Sequence, residues 1–304
     1  MQTKVTLASH SSYPLETIWY LWQASRSEKE IPAPNILASM RTTDTNLNED
    51  IKKIFSMIVT SNFPVAENIW FVFLLENVSV SFREQMVRHR IGMKFGERLG
   101  VDIIPDLPSS TWWSQTSRVR DMKNFANEEA YRIPEKIQEN EAGIVMYKNL
   151  MQNIQRTYND LVTLGIPIEE AREVLPLATQ HRISWGLNLS SIIHVVKTRS
   201  CWIAQYSLWN AVVNGMVEEL AKVDPLFRLV ANPPCIQDNT YKRCPYALDN
   251  NKRKNGEDPL PVCSLYNNLE LKDKEPDRID YTELKEKYGK LWGRNPLTAE
   301  LIAK

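Results

Sequence analysis

Apolar and polar positions alternate with two different periods along residues 3–90, and each period predicts an element. Residues 3–8 (TKVTLA) predict a short strand. Apolar residues three and four positions apart predict amphipathic helices over about Pro14 to Ser25 and over 49–60. The segment 68–77 (NIWFVFLLEN) is aromatic and β-branched on both faces, which is typical of a strand buried on both sides. Residues 79–90 (SVSFREQMVRHR) return to the helical period, so we expect a helix directly after that strand.

The second part of the chain is dominated by helical periodicity. Glycine and proline interrupt residues 91–113, which therefore predict a long loop or insertion without regular structure. A long helix is predicted at about 136–164, ending at Gly165 and Pro167. Another is predicted at about 190–222, irregular near Ser200. Strands followed by long helices indicate an α+β fold. Within the insertion, Trp112 and Trp113 are interpreted as core or interface anchors rather than as platforms for stacking bases.

Composition narrows the class of protein. The 304 residues are 43% hydrophobic, and 37 Lys plus Arg balance 37 Asp plus Glu, so overall charge does not favour nucleic acid or an acidic membrane as a partner. The N-terminal segment lacks the features of a signal peptide, and no stretch approaches the roughly 20 apolar residues of a membrane span. Together with only four cysteines, this predicts a cytoplasmic protein. We expect one domain over residues 1–226 and a C-terminal extension over 227–304.

Several kinds of chemistry are not favoured by the sequence. The glycines after residue 91 do not have the spacing of a phosphate-binding loop. No cysteine or serine lies in a setting that suggests a protein nucleophile. Arginines remain, in the segments 83–90 and 114–120 and at Arg199. Arginine offers a planar, bidentate group for a phosphate or for the carbonyl edge of a heterocycle. Taken alone, Arg88-His89-Arg90 would be interpreted as a solvated end of a helix.

Three blocks of the sequence closely resemble the flavin-dependent thymidylate synthases. Residues 67–90 have a glutamate ahead of a buried strand and then Gln-x-x-Arg-His-Arg on the following segment. Residues 171–205 supply a Val-Leu-Pro turn, an asparagine that opens a helix, and His194, Arg199 and Ala204-Gln205 in register. Residues 4–27 also match in character. The blocks occur in the family's order, and the resemblance covers roughly residues 4–222.

The resemblance implies a fold and a set of site residues. The implied fold has a mixed or antiparallel sheet flanked by long helices, in a homotetramer whose active sites lie between subunits. Catalytic positions are matched by Arg199 and Ser117. Positions that bind the flavin are matched by Glu67, Arg88, His89, Arg90, Asn188 and His194; for Glu67, a structural role as a cap is an equal alternative. Positions that bind the nucleotide are matched by Gln85, Ser117, Arg118, Arg120 and Arg199.

The resemblance also implies a reaction. Such an enzyme transfers a one-carbon unit from methylenetetrahydrofolate to C5 of dUMP, using FAD that is reduced by NADPH, and forms dTMP. It needs no protein nucleophile, in agreement with the motifs above. Two alternatives stay open: a pyrimidine nucleotide hydroxymethylase or related C5-modifying enzyme that also needs flavin and folate, and a flavin- or nucleotide-binding paralogue without turnover.

The chain departs from the family pattern after the Arg-His-Arg triplet. The family reaches a Ser-x-Arg soon afterwards, whereas the nearest counterpart here, Ser117, comes later and is followed by Val119 at the arginine position. Arg118 or Arg120 is the candidate to replace that arginine. In the extension, Cys235, Cys244 and Cys263 match no standard metal-binding spacing, so we predict free thiols rather than a metal site.

Overall fold

A computed structural model describes residues 3–61, 63–89, 110–114, 122–126, 130–201 and 207–230. Within these ranges a four-stranded sheet has the order β1-β2-β4-β3. Its strands are β1 (Lys4–His10), β2 (Trp70–Ser79), β3 (Ser110–Ser114) and β4 (Gln180–Asn188). The combination of this sheet with helices confirms the predicted α+β class. Strands β1 and β2 lie where the sequence predicted strands, whereas β3 and β4 were not predicted.

Strands β1 and β2 are antiparallel, as their two ends show. At one end the backbone N–H of Ser11 donates to the carbonyl of Trp70 at 2.9 Å. At the other end Lys4 Nζ lies 3.7 Å from Glu76 Oε2. The early residue of one strand therefore faces the late residue of the other, which is the antiparallel arrangement.

Strands β2 and β4 are also antiparallel. The N–H of Leu189, just after β4, donates to the carbonyl of Ile69 at 2.8 Å, and Arg182 Nη2 lies 2.7 Å from Glu76 Oε1. The resemblance left open whether the sheet is mixed or antiparallel. These two strand pairs are antiparallel. As an inner strand, β2 buries Phe71, Phe73 and Leu75 completely, while the side chains between them are half-buried.

A glycine allows the close approach of β4 to the edge strand β3. A Cβ atom on Gly186 would lie 2.6 Å from Thr111 Oγ1, which is closer than real Cβ contacts allow. The interpretation of residues 91–113 as a segment without regular structure is therefore wrong for residues 110–113, which belong to β3. Threonine and tryptophan favour strands. In this segment that preference outweighs the effect of the nearby prolines, which had indicated a loop. Residues 91–109 lie outside the described part of the chain.

The two tryptophans of β3 are not core residues. Trp112 is 44% exposed and Trp113 is 81% exposed. Their interpretation as core anchors is therefore wrong. Their interpretation as interface anchors stays a prediction.

The helices follow the predicted order with more interruptions. They are α1 (Pro14–Ala24), α2 (Pro34–Met40), α3 (Thr45–Ser61), α4 (Val80–Met86), α5 (Glu135–Gln138), α6 (Glu141–Thr163), α7 (Ile168–Ala171), α8 (Leu189–Arg199) and α9 (Ser207–Val223). Short 3-10 helices span Pro64–Asn68, Arg172–Val174 and Pro225–Val230. None of the described helices is both long and apolar enough to cross a membrane.

The long helix predicted at 136–164 is divided into α5 and α6. Asn140 lies between them with extended backbone, and its Oδ1 accepts the N–H of Gly143 at 2.8 Å, so it is the N-cap of α6. Gly165, with φ of 85°, follows the end of α6 and confirms the predicted stop. The predicted irregularity near Ser200 is also confirmed, because α8 ends at Arg199.

The chain divides into two compact units. Unit 1 contains Met1–Ala8 and Val72–Gly186, and unit 2 contains Ser9–Phe71 and Leu187–Lys304. In unit 1, α6 packs on a buried cluster made of Met122, Phe125, Ala130, Tyr131, Met151, Tyr158 and Ala171. In unit 2, the ring of Phe227 meets the rings of Phe55 and Phe71 edge to face at 5.3 and 5.4 Å. Residues up to Val230 thus belong to this core, and the predicted domain division at 226/227 stays a prediction.

A buried group of charges joins three parts of unit 2. Arg41 follows α2, and its guanidinium donates to Glu16 of α1 and lies 2.8 Å from Asp224 Oδ2, just after α9. Arg41 Nε also donates to Asn48 Oδ1 at 3.0 Å. All three charged side chains are largely buried, so removing Arg41 would leave the two buried carboxylates without their shared partner.

Candidate functional site

Arg88 and His89, the first two residues of the Arg-His-Arg motif, lie after a helix and not on it. Helix α4 ends at Met86, with Val87 as its C-cap. The N–H of Arg88 donates to the carbonyl of Gln85 at 3.2 Å, and the N–H of His89 donates to the carbonyl of Met86 at 2.9 Å. These bonds span three residues and form a tight turn. The prediction that the triplet occupies a helix is therefore wrong for Arg88 and His89, and Arg90 lies outside the described residues.

The turn gives neighbouring side chains opposite environments. Arg88 is exposed, whereas His89 is only 8% exposed and Gln85 is half-buried. The carbonyl of His89 accepts a hydrogen bond from Ser110 Oγ at 3.1 Å, so the first residue of β3 fixes the backbone of the turn. Sequence reasoning did not identify Ser110, which was expected to lie in an irregular loop. In this turn, the exposed Arg88 can reach a ligand, while the buried His89 is held in place.

Asn188 occupies the joint between β4 and α8. Its side-chain Oδ1 accepts the backbone N–H of Ser191 at 2.9 Å, which makes it the N-cap of α8, and the residue is buried. Since the cap uses the carbonyl oxygen of the amide, the Nδ2 group is the end of this side chain that can donate to a ligand. The prediction that an asparagine opens this helix is confirmed; the prediction that it contacts a flavin stays a prediction.

His194 lies in the middle of α8, with its side chain exposed at the helix surface. Its Nε2 is 3.3 Å from Thr198 Oγ1, one turn further along. The pKa of His194 is lowered from the usual histidine value, because one side of the ring lies among packed atoms and because Lys197 and Arg199 are positive neighbours. The neutral imidazole is therefore favoured, in which one ring nitrogen donates a hydrogen bond and the other accepts one.

Arg199 is the last residue of α8, and its guanidinium carbon lies 4.5 Å from the centre of the Trp209 ring. Trp209 lies in the first turn of α9 and is completely buried. A cation over an indole face is attracted by the ring's negative face. A cation in the last turn is also favoured by the helix dipole. Sequence reasoning identified Arg199 and not Trp209, because nothing in the spacing of the two residues indicates a contact across two helices.

Glu67 lies in the 3-10 helix that precedes β2. This short helix also contributes to a cavity of about 320 Å³ in unit 2, lined by Leu21, Trp22, Ser25, Arg26, Phe63, Pro64, Val65 and Asn68. The rings of Trp22 and Phe63 meet edge to face at 4.9 Å, and the guanidinium carbon of Arg26 lies 3.7 Å from the Trp22 ring centre. Aromatic walls with one cation suit a flat, anionic ligand. Sequence reasoning identified Trp22 only as part of an apolar stripe.

The remaining candidate residues are outside the described ranges. These are Ser117, Arg118 and Arg120 of the displaced segment, together with the extension cysteines Cys235, Cys244 and Cys263. Among the residues that are described, no group of His, Cys, Asp and Glu has an arrangement that could hold a metal ion. The described candidates fall into two groups, with Gln85, Arg88 and His89 in unit 1 and Glu67, Asn188, His194 and Arg199 in unit 2.

Comparison with known proteins agrees with the resemblance. Residues 6–226 match the sequence model of thymidylate synthase complementing proteins. A flavin-dependent thymidylate synthase of Pyrococcus furiosus is 27% identical over 254 residues, covering 80% of this chain and 89% of that protein. One of Clostridium tetani is 25% identical over 209 residues, covering 63% and 74%. The fold is similar to that of a Helicobacter pylori flavin-dependent thymidylate synthase in complex with FAD and dUMP, with a TM-score of 0.52, 13% identity, and coverage of 74% and 97%.

Proposed function

The chain belongs to the family of thymidylate synthase complementing proteins, and we propose that it converts dUMP to dTMP with FAD, taking the one-carbon unit from methylenetetrahydrofolate. The observation that supports this most is the extent of the family match. Residues 6–226 include every candidate site residue, from Glu67 to Arg199, and they include parts of both compact units. A relative sharing only the fold would not be expected to keep the Gln-x-x-Arg-His-Arg spacing of residues 85–90.

FAD fits the residues that are present. The cavity of about 320 Å³ in unit 2 is within the usual size range of ligand pockets, about 300 to 1,000 Å³, and its residues Trp22 and Phe63 offer apolar surface for a planar ring. Arg26 in unit 2 and Arg88 in unit 1 are each exposed cations, and an exposed arginine can bind a phosphate group. We propose the positions implied by the resemblance for binding the flavin, namely Glu67, Arg88, His89, Arg90, Asn188 and His194. Bound FAD, reduced by NADPH, would supply the electrons that convert the transferred one-carbon unit to a methyl group.

The nucleotide is assigned to Gln85 and Arg199, with Ser117 and one of Arg118 and Arg120. Arg199 can bind the phosphate, or offset negative charge that develops on a pyrimidine carbonyl during attack from C5. Gln85 carries an amide that can donate and accept at once, as an imide edge of uracil requires. No cysteine or serine nucleophile is assigned, so the protein's contribution is to orient the reactants and to stabilise charge.

We propose a homotetramer with active sites between subunits and a cytoplasmic location. Exposed apolar surface supports association of subunits: Trp113 on the edge strand, and Val145, Met146 and Leu150 along one side of α6. Such surfaces usually mark interaction sites. The cytoplasmic assignment rests on the sequence, whose four cysteines are too few for a disulfide scaffold in a chain of 304 residues.

The assignment is tested by analysing the product. The purified protein is incubated with FAD, NADPH, methylenetetrahydrofolate and either dUMP or dCMP, and the nucleotide product is identified by its mass. We expect dTMP from dUMP. A hydroxymethylated nucleotide would favour the first alternative. FAD binding without any product under reducing conditions would favour a binding protein without turnover.

Variants separate the two ligands. Arg88→Ala is expected to lower FAD content, whereas Arg199→Ala is expected to weaken dUMP binding by about 1.5 to 3 kcal/mol with little change in FAD content. Arg83→Ala is the matched control, because Arg83 lies on α4 and pairs with its neighbour Glu84 on the surface. Arg118→Ala and Arg120→Ala are compared in the same assay, and one of them is expected to weaken dUMP binding. If both leave dUMP affinity intact, the assignment of the nucleotide site is wrong.

A further inference from the structure

We propose that Trp209 is a positioning residue that holds the Arg199 guanidinium in place for the nucleotide. This inference rests on the proposed function, since it assigns a role toward the ligand that Arg199 is proposed to bind. It adds a residue that lies on another helix and that no comparison assigns. The structural observation is the guanidinium carbon of Arg199, 4.5 Å from the centre of the buried Trp209 ring.

The environment of Trp209 makes it a rigid support. Its side chain is completely buried, and so are those of its helix neighbours Leu208 and Val212. A ring packed on all sides cannot rotate away, so the position of its face is fixed by the core of unit 2. Arginine has about 2 kcal/mol of rotamer entropy, and a fixed ring beside it reduces the number of rotamers available before a ligand binds. A preorganised cation loses less entropy on binding.

An aromatic support differs chemically from an acidic one. A carboxylate beside Arg199 would neutralise part of the positive charge and compete with an anionic ligand for the same donors. The indole of Trp209 carries no formal charge, and its attraction for a cation comes from the ring quadrupole. Contact with this ring therefore takes none of the guanidinium's charge, which can act on a phosphate or on a carbonyl that becomes negative. A residue that orients a nucleotide-binding arginine needs this ability to hold the guanidinium without neutralising it.

The test compares variants of Trp209 in the FAD-loaded protein. Trp209→Phe and Trp209→Met both shorten the side chain, so both leave a similar cavity, but only phenylalanine keeps an aromatic face. Val212→Ala, one turn further along α9, is the control for loss of buried volume. The dissociation constant for dUMP is measured by calorimetry, FAD content by absorbance, and KM and kcat from product formation. Trp209→Met is expected to raise the dissociation constant and the KM for dUMP about threefold to thirtyfold. FAD content should stay the same, and both Trp209→Phe and Val212→Ala should stay within about threefold of the parent protein.

A second measurement does not depend on whether the methionine variant folds. Uniform replacement of tryptophan by 5-fluorotryptophan weakens the negative face of the indole and leaves its shape almost unchanged. Labelling is expected to weaken dUMP binding in the parent protein and to have no effect in Trp209→Phe, which still contains the other tryptophans. The Arg199→Ala variant should likewise be insensitive to the label, because the cation is absent.

The outcomes separate the inference from the function on which it rests. If the parent protein binds dUMP and loses affinity with Arg199→Ala, but labelling changes affinity equally in the parent protein and in Trp209→Phe, the inference is overturned and the proposed function stands. Equal dUMP affinities of the phenylalanine and methionine variants would overturn it in the same way. If the FAD-loaded parent protein binds no dUMP, the proposed nucleotide site is wrong and the inference falls with it.

Discussion

Helices α4 and α8 begin in the same way and end differently. Each follows a strand whose last residue is its N-cap: Ser79 Oγ accepts the N–H of Phe82 at 3.2 Å, and Asn188 Oδ1 accepts the N–H of Ser191 at 2.9 Å. Helix α4 then ends after seven residues, and α8 continues for eleven. Arg88 and His89 therefore follow the first helix, while His194 and Arg199 lie within the second.

The difference shows where a sequence pattern is sufficient to place side chains. In α8, His194 and Arg199 are separated by about 140° around the axis because helical geometry fixes the angle. After α4, the directions of Arg88 and His89 depend on individual hydrogen bonds, among them the bond from Ser110. The spacing of residues in the motif contains no information about those bonds. The following variants test whether the two joints differ as described, from the largest expected effect to the smallest.

Gly186→Ala is expected to disturb the β4 joint most strongly. The new Cβ would lie 2.6 Å from Thr111 Oγ1, so overpacking should cost about 1 to 3 kcal/mol of unfolding free energy. The double variant with Thr111→Ala should recover most of that loss. At the β2 joint the corresponding position, two residues before the cap, is Asn77 with φ of 60°, and Asn77→Ala should cost only about 1 kcal/mol. Urea denaturation measures all three, and an unchanged Gly186→Ala would contradict the close approach of β3.

Removing either cap should have a similar effect on stability. Ser79→Ala and Asn188→Ala are each expected to cost about 1 kcal/mol, since each leaves one N–H at the start of a helix without its acceptor. Asn188→Ser is the matched control, because serine caps nearly as well but lacks the amide Nδ2. It should keep the melting temperature and lower FAD affinity if Asn188 also binds the cofactor. Unchanged FAD affinity in Asn188→Ser would limit this residue to a structural role.

The two arginines should differ in their effect on folding. Arg199→Ala removes a contact with a buried ring and is expected to cost about 0.5 to 2 kcal/mol of stability. Arg88→Ala changes an exposed side chain in a turn and should stay within about 0.5 kcal/mol of the parent protein. Thermal unfolding without ligands measures both. Equal losses would mean that the turn after α4 depends on its arginine more than its exposure indicates.

The smallest expected effect is the dependence of stability on pH through His194. The pKa of His194 is lowered in the folded protein, so below the usual histidine value the unfolded chain binds a proton more readily. The free energy of unfolding should therefore fall slightly as the pH is lowered from the usual histidine pKa to the lowered one. His194→Gln cannot titrate and should show a weaker decline than the parent protein between about pH 7 and 5. Parallel pH profiles of the two proteins would contradict the lowered pKa.

The amphipathic elements could be predicted from the sequence because their periodicity is local. Helices α1 and α3 have apolar residues at helical spacing, and the structure confirms both. Strand β4 (QHRISWGLN) was missed because it buries the polar residues Gln180 and His181 beside apolar ones, so no alternation is visible. Its partner β3 was missed because five residues are too few for a pattern to appear.

For the candidate site, the sequence predicted which residues take part better than it predicted what surrounds them. The resemblance identified Arg199, but its support Trp209 lies across two helices and depends on tertiary packing. The cavity lined by Trp22 and Phe63 likewise joins residues that are distant in the chain. The end of α4 at Met86 could not be predicted, because no glycine or proline follows until Gly92. Local sequence signals specify where helices begin. Contacts with other elements determine where α4 ends and which residues surround the site.

The division of unit 2 between both ends of the described chain has a consequence for biosynthesis. Phe55 and Phe71 leave the ribosome while residues 72–186 are still to be made, and the aromatic contact with Phe227 forms only after that. The ion pair of Arg41 with Asp224 likewise forms only after Asp224 has been synthesised. Nascent chains therefore present an incomplete apolar core for most of translation, when long-range contacts are not yet possible and aggregation competes with folding. Chaperone supply and translation speed are expected to govern the yield of this protein more strongly than the stability of its finished fold.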